Sequence, residues 1–261
     1  MLYAIPVRYA VLFRKYALAG LAVLFRKYAL AGLAVLYTSS SRALFMMDPL
    51  SYSNADEVIV THLEWDAEVD FERQVIQATA TYTVKSLKPS VSRVCLDTSK
   101  LVIQSVVHHD GNPLRHTLHP VNNEKVNLGQ KLEIQLPVPP HSPQQFSITY
   151  QVTNQSSAVL WRPFEIPEVG IQFPYLVTQC QAIHARSLVP CQDQPGVRFT
   201  YRANVTVPVR TTCVMSALPC IGGTSELIAR NNEQKIIHFE QPVAISSNLL
   251  AMAVGPDFLW S

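Results

Sequence analysis

Residues Gln179 to Pro195 read QCQAIHARSLVPCQDQP and bring several chemically capable side chains into one short run. Cys180 lies four residues before His184, a spacing that lets a thiol meet a base, although a cysteine nucleophile also needs an electropositive setting. His184 as a catalytic base needs a nucleophile or an activated water within hydrogen-bond reach. The expectation is instead that it anchors an irregular segment through buried hydrogen bonds. Arg186 and Asp193 flank the Pro190-Cys191 turn. Buried charges repay their desolvation only through close, hydrogen-bonded pairing, so these two are expected to form a structural clamp, not an acid/base pair. Elsewhere, His108-His109 and the His116/His119 pair lack further ligands at metal-binding spacing. They are read as solvated loop histidines beside Gly111 and Pro113. No catalytic residue, metal ligand or cofactor site is expected in the chain itself.

Composition narrows the classes. Of 261 residues, 48% are apolar, enough for a sizeable core, and the formal net charge is only +2. Five cysteines, Cys95, Cys180, Cys191, Cys213 and Cys220, form no C-x-x-C pair. An odd count without such spacing fits reduced thiols and a cytoplasmic location better than a disulfide framework. The sequons at Asn154 and Asn204 are read as unused.

Residues 1–47 differ from the rest. They hold Arg8, Arg14, Lys15, Arg26, Lys27 and Arg42, and Asp48 is the first acid. Val11–Ala22 and Val23–Ala34 are identical copies of VLFRKYALAGLA. Two short copies are too few for a solenoid. Three possibilities stay open for this leader. It is a mitochondrial presequence, a helix lying on anionic lipid, or a disordered or spurious extension before a start at Met46 or Met47. A membrane-spanning helix is disfavoured, because Arg26 and Lys27 would sit in hydrocarbon at about 2.5–3.5 kcal/mol each. The apolar content of the leader argues against a nucleic-acid partner.

From about Val58 the pattern takes a period of two. Ile76, Ala78, Ala80, Tyr82 and Val84 alternate with polar residues, as do Phe146, Ile148, Tyr150 and Val152, and Tyr201, Ala203, Val205 and Val207. Such alternation gives strands with one apolar and one polar face. Breakers at Asp110-Gly111-Asn112-Pro113, Pro137–Pro143 and Gly222-Gly223 separate the runs. Residues 48–261 are therefore expected to form one all-β, antiparallel domain, with two packed sheets. Leu160–Pro195, rich in proline and aromatics, is expected to be a long irregular and functional segment. Asn231-Asn232 marks a polar hairpin tip.

The run from Tyr175 to Pro195 resembles the signature of the leukotriene A4 hydrolase / aminopeptidase B branch of the zinc aminopeptidases. Supporting blocks occur in order: Leu96-Asp97-Thr98, Tyr201–Pro208, Val214-Met215-Ser216-Ala217 and Asn248–Gly255. The resemblance covers roughly residues 55–256. It implies a saddle-shaped β-sandwich that packs on a thermolysin-like catalytic domain. It also implies that Gln179, Cys180, Gln181 and Ala182 belong to the substrate-binding cleft, with Gln181 and Ala182 nearest the first residue of a peptide. A glutamine amide suits that task, since it offers donors and an acceptor without charge. In the family these cysteines do no nucleophilic chemistry.

The chain departs from the family at its metal. The family uses zinc held by H-E-x-x-H on a helix, yet no His-Glu dipeptide occurs here, and the G-x-M-E-N strand is missing. The chain is thus expected to be the N-terminal, substrate-cleft domain of a metallo-aminopeptidase, with possible epoxide hydrolase activity in the complete enzyme, and inactive alone. The alternative is a non-catalytic β module that binds peptides or proteins, from a truncated gene or splice form. Expected partners are the peptide substrate and either the missing catalytic domain or a second copy of the chain.

Overall fold

A computed structural model describes residues 48–89, 91–121, 128–137, 143–166, 171–220 and 233–256. The chain divides into a unit of Phe45–Gly255 and a second of Met1–Leu44 with Pro256–Ser261. The leader with its repeat and targeting alternatives, and the Asn231-Asn232 tip, lie outside the described residues.

The regular elements among the described residues are strands, apart from short 3-10 turns at Ala185–Ser187 and Ser247–Leu249. The largest sheet contains β1 (Val58–Asp70), β2 (Val75–Ser86), β4 (Leu101–His108), β7 (Gln144–Val152), β10 (Arg198–Pro208), β12 (Leu218–Pro219) and β13 (Gln234–Ser246), in the order β12-β13-β10-β1-β2-β7-β4. A second sheet joins β8 (Val159–Ile166), β9 (Ile171–Thr178), β11 (Thr211–Met215) and β14 (Met252–Pro256), in the order β11-β14-β9-β8. A third joins β3 (Arg93–Thr98), β5 (His116–Leu118) and β6 (Gln130–Gln135), in the order β3-β6-β5.

The all-β architecture follows the period-two pattern residue by residue. Ile76, Ala78, Ala80, Tyr82 and Val84 of β2 are all buried, as are Phe146, Ile148, Tyr150 and Val152 of β7 and Tyr201, Ala203, Val205 and Val207 of β10. Their polar neighbours make cross-strand hydrogen bonds on the opposite face, such as Thr81 to Ser147 at 2.8 Å. Asn204, which carries one of the two sequons, sits in the middle of β10 and bonds Asp66 and His238, each at 2.6 Å.

Three features differ from the expectation. The described residues form three sheets where two were expected. The β1–β10 pair is parallel, which the long crossover between them allows. Most importantly, half of Leu160–Pro195 is regular. β8 and β9 form a hairpin in which Pro163 lies opposite Pro174. Prolines cannot donate to a ladder and settle at edges. Here β8 is the edge strand, and β9 meets β14 only at Leu176 and Val177, beyond Pro174. Neither proline removes a donor that the sheet uses.

Candidate functional site

β9 ends at Thr178, and the chain turns into an irregular segment that reaches back under the large sheet. Its apolar residues Cys180, Ala185, Leu188, Val189 and Cys191 join the core. Buried irregular backbone leaves carbonyls that need donors, and core side chains supply them. Ser156 Oγ donates to the Ser187 carbonyl at 2.7 Å. Tyr150 donates to the Leu188 carbonyl at 3.0 Å, and Tyr82 to that of Pro190 at 2.6 Å. Trp65 Nε1 in turn donates to the Tyr150 hydroxyl at 2.9 Å. Burial pushes the phenols of Tyr82 and Tyr150 up from their ordinary range, so they stay protonated donors.

The segment also behaves as an added strand. Asp97 and Cys191 exchange backbone hydrogen bonds of 2.7 and 3.1 Å. The Gln192 side chain then takes the place of a neighbouring strand for the start of β1. Its Oε1 accepts from Val60 N–H at 2.9 Å, and its Nε2 donates to the Val58 carbonyl at 2.8 Å. Pairing of β1 with β10 begins only at His62, after a bulge, so Gln192 satisfies the groups that β10 leaves open.

At the centre lies Arg186, 1% exposed, against Asp193 at 2% and Asp97 at 0%. Arg186 Nε donates to Asp193 Oδ2 at 3.0 Å. Nη1 donates to the Leu128 carbonyl at 2.8 Å and stands 3.7 Å from Asp97 Oδ1. Nη2 donates to the carbonyls of Leu50 at 2.9 Å and Asp193 at 3.2 Å. Gly129 adopts a positive φ of 74° beside this site, and a Cβ there would collide with the Thr98 backbone oxygen. Only glycine lets the 128–129 backbone pass so close to β3.

One guanidinium faces two carboxylates, so neutral donors must hold the second charge. Asp97 accepts from Ser51 Oγ and Tyr52 N–H, each at 2.6 Å, and from Asp193 N–H at 3.0 Å. Asp193 Oδ1 accepts from Ser247 Oγ at 2.7 Å. Burial pushes the Asp97 carboxyl up from its ordinary value, opposed first by Arg186 and then by these donors. This centre ties together the start of the domain, β3, the Leu128 turn, the irregular segment and the Ser247 turn. Asp97, Ser51, Gln192 and Ser247 had no assigned role in the sequence.

The centre carries the cleft residues inferred from the sequence at its rim. Gln179, Gln181 and Ala182 are exposed. Gln179 N–H donates to the Ala158 carbonyl at 2.8 Å, and its Oε1 accepts from Gln181 N–H at 3.0 Å. The Gln181–Ala182 peptide is cis. Cys180 points the other way, with 1% exposure, so the thiol itself is not part of this surface. Burial pushes the Cys180 and Cys191 thiols well up, which opposes nucleophilic chemistry at either. His184 does not meet Cys180 through its ring. Its Nδ1 pairs with Ser157 Oγ at 2.9 Å, at a partly exposed position and not the buried one expected. His108 is not a solvated loop side chain either: it ends β4, with Nδ1 3.1 Å from Asp110.

The peptidase M1 N-terminal domain model matches residues 49–249. The chain belongs to the M1 peptidase family. Among curated relatives, leukotriene A-4 hydrolase of Xenopus laevis is 37% identical over 212 residues, covering 80% of this chain and 34% of that protein. Leucine aminopeptidase 2-2 of Scheffersomyces stipitis is 35% identical over 211 residues, covering 80% and 30%. Among solved structures, yeast LTA4 hydrolase in complex with bestatin has a TM-score of 0.66 at 28% identity, covering 84% of this chain and 32% of that one. A Deinococcus radiodurans M1 zinc metallopeptidase shares the fold, with a TM-score of 0.59 at 22% identity over 77% of this chain and 42% of that one.

This M1 N-terminal domain spans about a third of the length of the curated relatives it matches. Among the described residues, no three His, Cys, Asp or Glu side chains group closely enough to hold a metal ion. Among the same residues, no helix is long and apolar enough to cross a membrane.

Proposed function

We propose that this M1 domain supplies one wall of the peptide-binding cleft of a zinc aminopeptidase similar to leukotriene A4 hydrolase, and is inactive alone. Gln179, Gln181 and Ala182, with the backbone of Cys180, orient the first residue of the peptide. Arg186 and Asp193 hold that wall in shape. The observation that carries this proposal is the contrast within a few residues: exposed amides at Gln179 and Gln181 stand on a segment fixed by a buried Arg186 whose side chain makes four hydrogen bonds. Preorganised polar groups on a rigid support are what substrate orientation requires. The free, mostly buried cysteines support a reducing compartment, the cytoplasm.

A domain exchange tests this. Residues 49–249 replace the matching segment of the Xenopus leukotriene A-4 hydrolase, and arylamide hydrolysis and zinc content are measured. The chimaera is expected to turn over substrate, and Gln181→Ala to raise KM by about tenfold with zinc content unchanged. A folded, zinc-loaded chimaera whose kinetics ignore both Gln179→Ala and Gln181→Ala would refute the proposal. The unfused chain is expected to hold no stoichiometric zinc and to hydrolyse no arylamide.

A further inference from the structure

The half-exposed face of the β8–β9 hairpin runs directly into the Gln179–Ala182 surface. Leu176, Thr178 and Cys180 are buried, whereas Phe173, Tyr175 and Val177 are only partly covered and Gln179 is exposed. Alternate residues of a strand share a face, so Phe173, Tyr175, Val177 and Gln179 form one row. Opposite them, Arg162 pairs with Tyr175 and Leu160 with Val177. Leu160 is 46% exposed. The row ends at a cavity of about 370 Å³ bordered by Phe71, Trp161, Arg162, Phe173 and Tyr175, a size typical of ligand sites. Phe71 and Trp161 meet edge to face there, with ring centroids 5.8 Å apart. Trp161 Nε1 is buried without an acceptor. Arg162 is exposed, and among the described residues no carboxylate pairs with it.

We infer that this face binds the C-terminal part of an extended peptide, with Arg162 taking the terminal carboxylate and the aromatic cavity taking the last side chain. The inference rests on the proposal that the first residue of the peptide lies at Gln179–Ala182. From Gln179 back to Tyr175 is roughly 13 Å at strand rise, so a peptide of about five or six residues reaches from that end to Arg162, opposite Tyr175. A guanidinium matches a carboxylate with paired N–H donors, and the uncharged glutamines at the other end leave this as the charged contact on the row. The domain would therefore measure the length of a peptide as well as seat its first residue.

Calorimetry on the 261-residue chain tests this with the peptide Leu-Ala-Ala-Ala-Ala-Phe as free acid, as C-terminal amide, and as N-acetylated acid. The free acid is expected to bind about tenfold more tightly than the amide. Arg162→Gln is expected to erase that difference. The indole N–H resonance of Trp161, assigned by Trp161→Phe, is expected to shift on binding. Equal affinity for acid and amide, a difference that survives Arg162→Gln, or no detectable binding of the free acid overturns the inference. The acetylated peptide separates the two levels: if acetylation costs no affinity while the acid–amide difference persists, the Gln179–Ala182 proposal fails and the Arg162 site stands.

Discussion

Arg186 carries more of this domain than any other single polar side chain. It spends its donors on one carboxylate and three backbone carbonyls, two of them from distant parts of the chain. Replacing it with alanine would strand Asp97 and Asp193 as buried charges, and breaking a buried pair in this way typically costs about 3–5 kcal/mol. Arg186→Ala is therefore expected to lower the free energy of urea unfolding by that amount. Arg186→Lys should recover little, since an ammonium cannot reproduce the planar fork that reaches Leu50, Leu128 and Asp193 together. Stability of either variant within about 1 kcal/mol of the natural chain would show that the centre is better hydrated than its burial indicates.

Among the elements, the stretch before β1 matters beyond its lack of regular structure. Leu50 offers its carbonyl to Arg186, Ser51 and Tyr52 donate to Asp97, and Ser53 accepts from Gln194 at 3.0 Å. Asn54 accepts from Cys95 N–H at 2.8 Å and donates to the Arg93 carbonyl at 3.2 Å. These bonds fasten residues 50–54 across β3 and the irregular segment. A chain beginning at Met47 is expected to keep its β-type circular dichroism and a cooperative melt. A chain beginning at Ala55 is expected to melt lower and less cooperatively, because it leaves Asp97 and the Arg186 guanidinium short of partners. Equal melting of both shortened chains would mean that residues 48–54 merely lie on the surface. The hairpin β8–β9 carries a second lesson: its prolines suggested irregular chain, yet they are tolerated where neighbouring strands ask for no donor.

At the scale of the whole molecule, an M1 N-terminal domain in isolation shows apolar side chains to water. Leu218 and Val243 are each 67% exposed, Leu249 49% and Leu160 46%. Leu176 of β9, by contrast, is fully buried in the core. Contiguous apolar surface beyond a few hundred Å² usually marks an interaction site. The chain on its own is expected to self-associate, with a sedimentation coefficient that rises with concentration. A strictly monomeric chain at every concentration would count against a covered face and favour an independent binding module.

The sequence alone determined the period-two strands and the family. Period-two runs such as Ile76 to Val84 report directly which face is buried, because alternation is a local consequence of backbone geometry. The Gln179–Pro195 run identified the branch because its residue types are specific and contiguous. Tertiary structure alone decided what those residues touch. Arg186 was legible as half of a clamp with Asp193, seven residues away. Its bond to the Leu50 carbonyl spans 136 positions, and that of Gln192 to the Val58 carbonyl spans 134. Those partners are backbone groups, which every residue possesses and no residue type announces. Burial of Asp97 was equally silent, because a carboxylate in a strand takes its meaning from the guanidinium and hydroxyl that folding brings to it.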